Sequence, residues 1–185
     1  RHGDRRRRLF GDAPYSNFGY WRDEDQPIGE ACDALVDRTA RAAFTGDVFG
    51  VSYRTFDTAR GPWALITTTP TQFDPEQMRQ SIDRIVALEP ECVYVTHFSR
   101  LTAVPQVAAE LREQIDAAVA LARRCASAPD RSAALAAGFH ALVHERLAAH
   151  GCQLPPAKID RLLSEQRIDQ PSSNIRRTKK SGAEA

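Results

Sequence analysis

The chain has 185 residues, 42% of them hydrophobic and 26% charged, enough apolar side chain for one packed domain and too much for a disordered or fibrous chain. No apolar run reaches the roughly 18 residues of a membrane helix, and the first residues lack the apolar segment of a secretory signal. The net charge of +1 divides into +4 over residues 1–8, +3 over residues 176–185 and an acidic middle, which excludes a dedicated nucleic-acid binder with its basic groups on the folded surface.

Residues 1–31 form an arm without a readable period. Gly, Asp, Pro, Asn and Arg interrupt every apolar run, and Tyr15, Phe18, Tyr20 and Trp21 follow neither helical nor strand spacing. The segment reads as degenerate, and the opening at Arg1 without Met reads as a fragment of a longer bacterial sequence. Order begins with two short apolar runs, 34–36 and 42–45, around a polar turn, the pattern of a hairpin. A loop with Gly and aromatic residues follows, in which Phe49, Tyr53, Arg54 and Phe56 are expected to border a cleft, and 63–67 reads as a further strand.

Asp74-Pro75-Glu76 is a helix start, with Asp as cap and Pro at the first helical position. Met78, Ile82, Ile85 and Val86 then fall on one face, and the helix stops before Pro90. Residues 92–96 have high β-propensity and end at His97. Beyond lie three helices. The first carries Val104, Val107, Leu111, Ile115 and Val119, and the second, capped by Asp130 and stopped by Gly151, carries Leu135, Phe139, Leu142, Val143 and Leu147. The third carries Ile159, Leu162 and Leu163. The fold class is α/β or α+β, with the helices packed outside a sheet. Residues 168–185 are polar and expected to be disordered.

Two polar residues stand just past strand ends, where sheet proteins place their sites: Asp47 after Gly46 and His97 after Thr96. Carboxylate oxygen and imidazole nitrogen both suit zinc, while a turn Asp and a strand-terminal His account for the same residues without a metal. His140 and His144 lie at i, i+4, but Ala141 stands where the helical zinc-protease pattern needs Glu, so they read as two histidines beside an amphipathic face. Cys32, Cys92, Cys125 and Cys152 are too widely spaced for a structural zinc site and read as reduced thiols of a cytoplasmic protein.

The segment Phe44-Thr45-Gly46-Asp47-Val48-Phe49-Gly50 resembles the F-T-G-D-T-F-G segment of metallo-β-lactamase-fold hydrolases. Thr67-Thr68-Thr69-Pro70-Thr71-Gln72-Phe73-Asp74-Pro75 resembles the T-T-P-x-Q-F-D-P segment of an uncharacterised bacterial branch, and Tyr94-Val95-Thr96-His97-Phe98 its final Y-x-T-H-F/Y-G motif, with Ser99 in place of the Gly. The likeness covers about residues 34–165 and implies the carboxyl-terminal part of an αββα sandwich followed by a helical extension. It divides the chain into the arm 1–31, a partial domain 34–100, the extension 101–167 and the tail 168–185.

The resemblance also implies two zinc or iron ions, bridged by Asp47, with His97 on the second. Metal-bound hydroxide would then attack an ester, thioester, lactam or phosphoester of a small-molecule substrate. No catalytic side chain is assigned beyond the metal ligands. The family's upstream H-x-H-x-D-H does not occur here, and His2 is the one histidine before His97. Residues 26–33, where the family has a further His, offer at most Glu30. A non-catalytic remnant acting as a structural or interaction protein is therefore the alternative. Either way, a half-sandwich would expose a sheet face, so homo-oligomerisation is expected, with neither nucleic acid nor membrane as partner.

Overall fold

The computed structural model describes residues 18–21, 34–67, 73–97 and 100–165. The tail 168–185 and the rest of the arm, with Cys32, Glu30 and Ser99, lie outside the described residues. A mixed five-stranded sheet runs in the order β1 (Phe18–Trp21), β2 (Ala34–Asp37), β3 (Ala42–Gly46), β4 (Cys92–Val95), β5 (Arg100–Leu101). All neighbours are antiparallel except β3 and β4. The expected hairpin is β2–β3. Its turn is closed by Asp37, whose Oδ1 accepts from the Thr39 and Ala40 amides at 2.9 Å each, the local bonding for which Asp is favoured in turns.

Parallel strands cannot be joined by a tight turn. The chain leaves β3, runs through the loop residues 47–67 and later helix α1 (Pro75–Ala87), and returns as β4. Helix α1 starts as its sequence dictates, with the Asp74 carboxylate accepting from the Glu76 and Gln77 amides. The helices α2 (Val104–Arg124), α3 (Arg131–Ala149) and α4 (Pro156–Glu165) follow β5. Asp130 caps α3 by accepting from the Ala133 amide at 2.9 Å. We expect Asp130→Ala to cost about 1 kcal/mol, measured by urea denaturation, since one orphan amide of the first turn loses its acceptor.

One continuous core joins the sheet to all four helices. Ala43, Val93 and Leu101, side by side across β3, β4 and β5, are buried with Ile82 and Ile85 of α1 and Leu111 and Ile115 of α2. Leu135, Phe139, Val143 and Leu147 of α3, with Ile159 and Leu163 of α4, belong to the same core. The described residues before and after position 100 thus share their interior. The loop between β3 and α1 ties them further: Thr58 Oγ1 donates to the His150 carbonyl (2.9 Å) and Arg60 Nη1 to the Ala149 carbonyl (2.8 Å), satisfying orphan carbonyls at the end of α3.

Several expectations are corrected. Residues 63–66 are buried as an apolar run should be and Thr67 is partly covered, yet 63–67 form no strand. Their pairing is a single bridge, in which Val51 and Leu65 exchange both backbone bonds at 2.8 Å, and the buried amide of Gln114 takes the next partners. Phe49 and Phe56 are fully buried and stand in the core, not at the rim of a cleft. On α2 the buried stripe runs through Ala118 and Leu121, with Val119 only partly covered. Strand β1, inside the arm, and the two-residue β5 had no sequence signal. Among the described residues no helix is long and apolar enough to cross a membrane.

Candidate functional site

The parallel pairing of β3 and β4 carries Asp47 and His97 to one edge of the sheet. The register slips between Phe44 and Gly46, so that Gly46 sits opposite Val95, and the Thr96 amide then donates to the Gly46 carbonyl at 3.4 Å. The two residues that follow face each other: Asp47 Oδ1 lies 3.9 Å from His97 Nε2. Both backbones are held. Thr67 Oγ1 and the Gly50 amide donate to the Asp47 carbonyl at 2.9 and 3.0 Å, and the Ser52 amide donates to the His97 carbonyl at 3.3 Å.

The burial of this pair is uneven. The His97 side chain is half exposed, whereas Asp47 Oδ1 is buried and, among the described residues, has no hydrogen-bond partner. A buried carboxylate oxygen without a donor is costly unless a cation meets it. An ion about 2.1 Å from each of two ligand atoms spans at most about 4.2 Å between them, so the separation lies within reach of a shared ion. Two side chains remain short of the three protein ligands that a catalytic zinc usually has. Of the motif that includes Thr67, residues 68–72 lie outside the described set, and its end serves structure: Phe73 is buried and Asp74 caps α1.

Beside the site, the outer face of the sheet carries an aromatic pair. Phe44 and Tyr94 are paired in register and stacked, with ring centroids 4.9 Å apart, and they keep 42% and 37% of their surface exposed. Together with Leu88 they are the large hydrophobic residues exposed among the described residues.

A second group of ligand-type side chains lies far along the chain, between α3 and α4. His140 Nε2 and His144 Nε2 both approach Asp160 Oδ1, at 2.7 and 2.6 Å. The three ligand atoms lie within 4.8 Å of one another, an arrangement that could hold a metal ion. The sequence reading saw the two histidines and missed their partner. Asp160 follows them by 20 and 16 residues on another helix, so spacing held no signal for it. The hydrogen bond from His144, ahead of that from His140, holds the Asp160 carboxyl below its ordinary value against the opposing effect of burial.

No family model, curated protein or solved structure matches the chain.

Proposed function

We propose that the chain is part of a metal-dependent hydrolase of the metallo-β-lactamase fold, in which Asp47 and His97 hold zinc or iron at the edge of the sheet. The observation that carries this reading is their convergence: residues 50 positions apart approach to 3.9 Å, and the Asp47 oxygen is buried without a donor among the described residues. The substrate class is the family's, a small molecule with an ester, thioester, lactam or phosphoester bond. A bound dication supplies Lewis acidity there, lowering the pKa of water and polarising the electrophile.

The chain's own contribution is placement. Asp47 brings a carboxylate oxygen and His97 an imidazole nitrogen, each on a backbone pinned by Thr67, Gly50 or Ser52. The missing ligands are assigned to polypeptide beyond the 185 residues, which carry no H-x-H-x-D-H. The exposed Phe44–Tyr94 pair supports the same assignment, because a sheet face of an αββα sandwich is made to be covered by a second sheet. The test is the nucleotide sequence upstream of the Arg1 codon. It is expected to encode H-x-H-x-D-H, and its absence from every frame would overturn catalysis by this chain.

The aromatic pair also favours a second reading, a non-catalytic chain that binds another polypeptide through this face. In that case Phe44→Ser with Tyr94→Ser would abolish self-association in sedimentation experiments while the melting temperature moved little. A wild-type chain that sediments as a monomer at high concentration would count against that reading.

A further inference from the structure

We infer that His140, His144 and Asp160 form a second metal site, which takes one transition-metal dication of the zinc, cobalt or nickel class and ties α3 to α4. It is independent of the reading of Asp47 and His97.

Packing sets up the site. His140 follows Phe139 and His144 follows Val143, both buried anchors of α3, while Asp160 follows Ile159, a buried anchor of α4. Each of the three side chains is thereby held at the seam between the two helices, partly covered. Helix α4 begins where the Pro155 carbonyl accepts from the Lys158 and Ile159 amides at 2.9 and 3.2 Å, which fixes the rotation of Asp160 about its axis. Histidines at i, i+4 present their rings on one helix face, and here the ring centroids are 4.6 Å apart.

The chemistry of the donors selects the ion. Two imidazoles and one carboxylate suit zinc and its neighbours, whereas calcium and magnesium call for oxygen ligands. Three protein ligands with an open side match a tetrahedral ion that keeps water in its fourth position. The Asp160 oxygen now lies 2.6–2.7 Å from each ring nitrogen, and ligand atoms around a tetrahedral ion stand about 3.3 Å apart. Entry of the ion therefore requires each His–Asp160 contact to open by about 0.6 Å and the two ring nitrogens, within 4.8 Å of each other, to take up the same spacing, with the proton of each Nε2 moved to Nδ1 or released to water.

Zinc titration of the full chain, stripped of metal with a chelator, tests the site. The wild-type chain is expected to bind zinc and to melt at a higher temperature with it. His140→Asn, His144→Asn and Asp160→Asn are each expected to weaken binding at least tenfold, with their metal-free melts checked against wild type. Zinc binding unaffected by the His140→Asn/His144→Asn double variant but removed by Asp47→Asn would overturn this site and leave the proposed function standing. No binding at millimolar zinc would overturn it as well. Because a variant can fail to fold, a second measurement uses the wild-type chain alone. Zinc should protect His140 and His144 from carbethoxylation as read by mass spectrometry, and unchanged reactivity of both would contradict the site.

Discussion

Gly50→Ala is expected to lower the folding stability of the chain by about 4 kcal/mol or more. Gly50 has φ +74°, in the left-handed region, and a Cβ built on it would stand 2.2 Å from the Leu65 carbonyl oxygen. A left-handed backbone alone costs an L-residue about 1–2 kcal/mol. The larger part comes from the clash with backbone, which cannot swing aside as the end of a flexible side chain does. The strain has two outlets, and both damage the fold. If Leu65 moves, the pair of hydrogen bonds between Val51 and Leu65 opens; if Gly50 moves, its amide leaves the Asp47 carbonyl. The second outlet displaces Asp47, so Gly50→Ala should also weaken the metal binding proposed at that residue. Equilibrium unfolding in urea measures the first effect, and a midpoint equal to wild type would show that the loop does not approach Leu65 so closely.

Gln114→Ala is expected to cost about 3 kcal/mol and to lower the melting temperature by about 10 °C. Gln114 is one of the few buried polar residues among those described, and its side chain replaces the strand partner that 64–66 lacks. Its Oε1 accepts from the Ile66 amide at 3.0 Å, and its Nε2 donates to the Ala64 carbonyl at 2.9 Å and to Glu110 Oε1 at 3.1 Å. Removing it leaves a buried amide and a buried carbonyl unpaired, each worth about 1–3 kcal/mol. Gln114→Glu is the informative companion. It keeps the acceptor for Ile66 but loses the donor to Ala64 and sets a buried negative charge beside Glu110, so it should be no more stable than Gln114→Ala. A Gln114→Glu chain as stable as wild type at neutral pH would contradict the bonding described.

The same residue shows why part of the fold was legible in the sequence and part was not. Helices announce themselves locally. Asp74-Pro75 and Asp130 act through amides two or three residues away, and the apolar stripes repeat every turn, so α1 and α3 were readable almost to their ends and α4 by its stripe. Whether an apolar run becomes a strand depends on what lies beside it, and beside 64–66 lies a glutamine from 48 residues further on. Burial of 63–66 was therefore readable and its pairing was not. Strand β5, only Arg100–Leu101, exists because Val93 and Tyr94 of β4 offer it a partner. Phe49 and Phe56 were placed at a cleft rim because a loop was assumed to lie outside, yet this loop folds over the core and buries them.

The site divides along the same line. Asp47 and His97 could be singled out because each follows a strand, but only the parallel β3–β4 neighbourhood brings them to one edge, and no spacing reveals that adjacency. For His140 and His144 the helical spacing was visible, while the third member waited on the packing of α4 against α3. In both places residue type was legible and convergence was tertiary.

We propose that Asp47 and His97 meet one metal ion. The most direct test is a zinc titration, followed at the His97 ring by NMR, in a chain carrying H140N and H144N so that the helical cluster is silent. The His97 ring resonances should shift saturably with zinc, and Asp47→Ala should abolish that response or weaken it at least tenfold. A ring that does not move with zinc, or that moves equally when Asp47 is alanine, would contradict the account.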